Sequence, residues 1–163
     1  MRSTAILDGP AYLRISEQAP AVYRGEPQFT HGRWLHLRSG VDVTLAGHGM
    51  GVRLAVRAAA QLADQGIEAD VYDAAYLKPF DETAIVETAR RTGRVVTIED
   101  HIEIGGLASI VAGVVARHRL AVDLATVDLP DTDLEIGVRA GLYQHYGLTV
   151  DGVVSKALGL TKA

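Results

Sequence analysis

Val41-Asp42-Val43-Thr44-Leu45-Ala46-Gly47-His48-Gly49-Met50-Gly51 decides the fold. A β-branched run ends in a glycine-rich turn, and Val52, Ala55, Val56, Ala59 and Leu62 then recur at helical spacing up to a stop at Gly66. A strand that feeds a helix with one apolar stripe is half of a βαβ unit, and the pattern repeats downstream. Residues 69–74 read as a strand, 81–91 as a helix with Asp81 at its N-cap, and 94–99 as a strand. A third helix carries Leu107, Ile110, Val111, Val114 and Val115 on one face, and 124–129 form the next strand. Thr132 with Glu135 three residues on has the form of a capping box opening a short helical turn, and 149–158 read as the last helix. This alternation predicts a three-layer α/β/α open sheet, mostly parallel.

Upstream, 34–38 and 41–46 are extended runs separated by Ser39-Gly40, the form of a hairpin, so 34–38 is expected as an antiparallel edge strand. Earlier still, residues 12–16 read as a lone strand, cut off by a Pro- and Gly-containing stretch over 19–32. A lone strand leaves N–H and C=O groups unpaired, at about 1–3 kcal/mol for each that is buried, so something must pair with it. The organisation expected is an N-terminal arm and linker over 1–32 and one α/β domain over 33–163. No internal repeat or low-complexity segment is visible.

With 163 residues, one core is affordable and two are not. Nearly half the residues are apolar and the net charge is −4, which gives nucleic acid or an anionic membrane little to hold. There is no cysteine, so thiol catalysis, disulfides and thiolate metal sites are excluded, and the cytoplasm is the expected compartment. No apolar run approaches the ~20 residues that span a bilayer.

Gly47, His48 and Gly49 lie where a strand gives way to a helix, a place where backbone N–H groups can hold an anion. A dinucleotide fingerprint needs a glycine at the sixth position, and Val52 stands there, so tight strand-to-helix packing competes with the anion reading. Asp73 falls where a ribose-binding acid would sit. Glu99-Asp100-His101 and Asp128-Leu129-Pro130-Asp131 end two strands on the carboxyl edge, where open α/β sheets bind ligands. Glu99 and His101 are candidates for ligand or interface roles, although acids before a helix also serve as caps. Gly105-Gly106 permits close approach of a ligand or a neighbouring subunit. No nucleophile elbow, P-loop or HExxH is present, and the domain alone shows no complete catalytic set or metal site.

Taken together, Gly9-Pro10-Ala11-Tyr12-Leu13-Arg14-Ile15-Ser16, Leu45-Ala46-Gly47-His48-Gly49, Leu77-Lys78-Pro79-Phe80-Asp81, Val96-Thr97-Ile98-Glu99-Asp100-His101 and Ile104-Gly105-Gly106-Leu107-Ala108-Ser109 resemble the end of a transketolase-family enzyme, in the same order and spacing. In that family a pyrophosphate-binding, a pyrimidine-binding and a carboxy-terminal domain follow one another. Thiamine diphosphate and a divalent metal, Mg, sit between the first two, across a dimer interface. The chain is similar to the third domain, with its arm similar to the last strand of the second.

The resemblance implies a cytoplasmic transferase subunit that moves two-carbon ketol units between sugars, contributing assembly and dimer contacts and inactive alone. Its partners would be chains carrying the other two domains, which would also supply the coenzyme and metal ligands. The related synthases and 2-oxoacid dehydrogenase components share the fold. A free-standing nucleotide- or effector-binding module is the alternative from another class. In many transketolases the segment matching Ser16-Glu17-Gln18 has a central arginine that holds the sugar phosphate. Glu17 stands there instead, and a carboxylate reverses the sign of that interaction. The implied substrate is therefore unphosphorylated or amino-bearing, or its phosphate is held by another residue such as Arg14.

Overall fold

The computed structural model describes residues 6–15, 22–23 and 25–162. Five strands form one sheet: β1 (Leu35–Arg38), β2 (Val43–Gly47), β3 (Ala69–Asp73), β4 (Arg94–Ile102) and β5 (Asp123–Leu129), in the order β1-β3-β2-β4-β5. β2, β3, β4 and β5 pair in parallel, and β1 is the antiparallel edge strand. The helices are α1 (Met50–Ala63), α2 (Glu82–Thr92), α3 (Leu107–Arg117), α4 (Arg139–His145) and α5 (Val150–Thr161). All five residues of β2 are buried, as a central parallel strand covered on both faces requires.

Alternation along the strands sends two sets of side chains to two helical layers. Val43, Leu45, Val71, Val96 and Ile98 pack with Ala55, Ala59 and Leu62 of α1 and with Val153 and Ala157 of α5. Ala46 and Val95 pack on the other face with Ile85 and Ala89 of α2 and with Leu107, Val111 and Val114 of α3. Caps fix where the helices begin. The Asp81 carboxylate accepts the Ala84 N–H at 3.1 Å and the Trp34 N–H at 3.0 Å, so the N-cap of α2 also fastens the entry to β1. Thr149 accepts the Gly152 N–H at 3.0 Å at the start of α5.

Three expectations fail. The edge strand β1 pairs with β3 and not with β2, so 34–46 is not a hairpin. The chain turns at Gly40, where a Cβ would run into the backbone of Glu68 and Ala69, and Val41 and Asp42 donate to the Glu68 carbonyl, both at 3.0 Å. These contacts carry the chain past β3 before β2 begins. The capping box at Thr132 and Glu135 opens no helix. Leu134 and Ile136 are exposed there, so no apolar face would be buried to offset nucleation, and the short helix starts instead at Arg139. Residues 12–15 form no strand, with Tyr12 and Ile15 largely exposed, while Ser16 lies outside the described residues.

Candidate functional site

From β2 the chain turns to β3 on one side and later reaches β4 on the other, so the topological switch point lies between the carboxyl ends of β2 and β4. Gly47 to Gly51 and Glu99 to His101 meet there. The loop after β2 lies tight on β4: the His48 N–H donates to the Ile98 carbonyl at 2.9 Å, and a Cβ on Gly51 would strike that same carbonyl. A Cβ on Gly47 would stand 2.6 Å from the Val52 Cα. Gly49, at φ 57, supplies the left-handed turn. The N–H groups of Gly51 and Val52 bond back to His48 and Gly49, at 2.9 and 3.3 Å. Packing accounts for Gly47 and Gly51 and turn geometry for Gly49, and the His48 and Gly51 N–H groups of the expected anion cradle have internal partners.

His48 is half-buried, and its Nδ1 donates to the Ala74 carbonyl at 2.7 Å, which fixes the ring orientation. Asp73, nearly buried, accepts from the Tyr23 hydroxyl of the arm. Burial pushes the Asp73 carboxyl up, opposed by the Tyr23 hydrogen bond and by His48. Burial and the Asp73 contact raise the Tyr23 phenol in turn. The carboxylate expected to meet a ribose is thus held by a tyrosine of the same chain.

Glu99 is buried at 1% exposure, yet it faces the first turn of α3, where its two oxygens accept the Leu107 N–H at 2.7 Å and the Ala108 N–H at 2.8 Å. Two charge-assisted bonds at the positive end of a helix explain how an acid sits in the core. Gly106 is required beside it, because a Cβ would collide with the Glu99 carboxylate. Gly105, at φ 80, turns the chain and donates to Ser109 Oγ at 2.9 Å. His101 is exposed, its Nδ1 donating to the Ile102 carbonyl at 2.7 Å. Asp128 is half-buried and Asp131 exposed.

Asp100 joins elements that sequence reasoning left apart. Arg14 Nη1 donates to its carbonyl at 2.9 Å, Arg14 Nη2 lies 3.6 Å from its Oδ2, and the Tyr143 hydroxyl donates to Oδ2 at 2.5 Å. Burial and the bond to Asp100 push the Tyr143 phenol up to about 12. Tyr143 and Tyr23 were not among the predicted site residues, and a tyrosine far along the chain carries no local pattern that would reveal its partner. Glu17 lies outside the described residues. Among the described residues no group of three or more His, Asp or Glu side chains could hold a metal. Among the described residues the carboxylates Glu99, Asp73 and Asp100 already accept from internal donors, so none of these three offers a free ligand to thiamine diphosphate's metal.

This strand order and carboxyl edge coincide with a known domain. The family described as "Transketolase, C-terminal domain" matches residues 32–153. The chain belongs to that family. A 1-deoxy-D-xylulose-5-phosphate synthase of Desulforudis audaxviator is 45% identical over 127 residues, covering 77% of the chain and 20% of the synthase. A 6-deoxy-6-sulfo-D-fructose transketolase subunit of a Clostridium species is 38% identical over 95% of the chain and 48% of the subunit. A solved split-gene transketolase, described as an inactive beta4 tetramer, superimposes with a TM-score of 0.82 at 37% identity, over 88% of the chain and 46% of its own. The chain spans about half the length of these subunit relatives. The resemblance carried by the five motifs is borne out, and so is the three-layer transketolase C-terminal fold. Among the described residues no helix is long and apolar enough to cross a membrane.

Proposed function

We propose that this chain is the carboxy-terminal part of a split, thiamine-diphosphate-dependent transketolase that moves two-carbon ketol units between sugars. Residues 1–32 act as arm and linker, and 33–163 as the domain that supplies scaffold and dimer contacts. Chains carrying pyrophosphate- and pyrimidine-binding domains supply the coenzyme and Mg sites, and without them the chain is inactive. The observation that carries this reading is a set of exposed apolar side chains: Ile6, Tyr12 and Ile15 of the arm and Ile136 and Val138 ahead of α4 are at least 66% exposed, and a partner would cover them. The likeness to subunits of split transketolases supports it.

For the substrate, Arg14 is the residue with a suitable geometry. Its side chain is 51% exposed and held at the carboxyl edge by Asp100. The related Clostridium subunit is named for a sulfo sugar, whose anionic tail suits a guanidinium as a phosphate does. We assign Arg14 to such a tail.

Reconstitution tests the proposal. The chain mixed with its co-purifying partner, thiamine diphosphate and Mg is expected to transfer ketol units, and either component alone is not. Turnover by the single chain, or a complete complex that transfers nothing, overturns it. Tight nucleotide binding by the isolated chain would favour an effector module instead.

A further inference from the structure

We infer that Asp100 and Tyr143 are positioning residues for Arg14, presenting its guanidinium to the anionic tail, phosphate or sulfonate, of the ketose. This rests on the assignment of Arg14 above and extends it to two residues that the sequence did not connect with it.

The geometry begins in the ladder between β4 and β5. Pairing runs regularly to Ile98 opposite Val127 and resumes at Ile102 opposite Leu129, so four steps along β4 face two along β5. Such a bulge takes backbone groups out of the ladder and re-aims side chains. Asp100 lies in the interrupted stretch, and its carbonyl is turned to Arg14 Nη1 at 2.9 Å. The contact with its carboxylate is longer, 3.6 Å from Nη2 to Oδ2. The close partner of Arg14 is therefore a neutral carbonyl, which orients the positive charge without cancelling it. That same oxygen accepts from the Tyr143 hydroxyl at 2.5 Å, which fixes Oδ2 and competes with the guanidinium for its charge.

A guanidinium has five N–H donors in a fixed fork, and the Asp100 carbonyl takes one. The side chain is half-exposed, so the remaining donors are accessible from outside the domain. A tetrahedral oxyanion matches that fork bidentately, whereas a hydroxyl takes one bond. A simple anchoring pair would place the carboxylate against the fork. Here the carboxylate is beyond hydrogen-bond reach, its Oδ2 3.6 Å from Nη2, and a residue from α4 holds that oxygen.

The test uses the reconstituted complex, a phosphorylated ketohexose donor and its unphosphorylated counterpart. Tyr143→Phe and Asp100→Asn are expected to raise KM for the phosphorylated donor roughly three- to tenfold, with kcat and the KM for the other donor unchanged. Arg14→Gln is expected to abolish the discrimination, and Tyr143→Phe added to Arg14→Gln to change nothing further. Equal effects on both donors, a loss in kcat alone, or additive effects with Arg14→Gln would mean a merely structural role and overturn the inference, leaving the transketolase reading intact. A complex that turns over neither donor overturns both.

Discussion

The two edges of the sheet use aspartate in opposite ways. At the amino edge Asp70 is fully buried, and among the described residues its donors come from its own domain: His36 Nε2 at 2.8 Å, the Gly40 N–H at 3.3 Å, Thr88 Oγ1 at 2.5 Å and the Arg91 guanidinium. Thr44 continues the network to Thr88 at 2.7 Å and to Thr92 at 2.9 Å. At the carboxyl edge, Asp73 and Asp100 take partners from the arm, Tyr23 and Arg14. One edge closes the domain on itself, and the other ties it to the segment that precedes it. The difference predicts that amino-edge substitutions lower stability, whereas carboxyl-edge ones chiefly alter how the arm is held.

Asp70→Ala gives the largest effect. It strands three donor side chains and a backbone N–H in or near the core, and a loss of about 2–4 kcal/mol is expected, the Arg91 share being reduced by its partial exposure. Urea unfolding should show the midpoint falling with little change in m. A loss no greater than that of Asp100→Ala would erase the contrast between the edges.

Gly106→Ala comes next and sharpens the comparison, because Glu99 is an acid near the carboxyl edge that faces inward. The added Cβ must displace the Glu99 carboxylate from the α3 N–H groups, at about 1–3 kcal/mol. Hydrogen exchange at Leu107 and Ala108 should accelerate selectively, and unchanged protection at those two amides would show that Glu99 does not cap α3.

These contrasts explain what the sequence made legible. Strands and helices of the βα units were readable because each buries one apolar stripe, as Val52 to Leu62 and Leu107 to Val115 show, and Asp81 was readable because an N-cap is a local signal. The partner of β1 was not, because Ser39-Gly40 has the same local form whether the next strand pairs or passes by. Only the long-range fit of Gly40 against Glu68 and Ala69 decides it. The candidate residues Gly47, Asp73, Glu99 and Gly106 do gather at the carboxyl edge, as strand ends predict. Their partners were hidden: Tyr23 and Tyr143 reach Asp73 and Asp100 across 50 and 43 residues of chain.

Tyr143→Phe should change stability by under about 1 kcal/mol near neutrality, one partly exposed hydrogen bond being lost. Its signature lies in alkali. The Tyr143 phenol is raised from 10.0 to about 12 in the fold, so its contribution is complete below the ordinary value and is lost as pH rises through about 12. Absorbance titration should show one late-ionising phenol fewer in the variant than in the native chain, the raised Tyr23 phenol remaining in both. An unchanged curve above pH 10 would remove Tyr143 from the Asp100 contact.

Asp73→Asn is the smallest and the most discriminating change. Burial raises the Asp73 carboxyl above its ordinary range. The proton is therefore held more tightly in the folded state, and the stability linked to it is present below the ordinary value and lost as pH rises through the raised one. Asparagine cannot ionise, while its amide oxygen can still accept from Tyr23. The variant should match the parent in acid and exceed it at neutral pH by at most about 1 kcal/mol, since the desolvated charge is gone and a charge-assisted bond becomes a neutral one. Thermal unfolding across the acid range reads this as two curves that diverge with rising pH. Were the variant weaker at neutral pH, the Tyr23 contact would outweigh the burial of the carboxylate. Asp73 would then resemble Asp70, with its charge as necessary at the carboxyl edge as it is at the other.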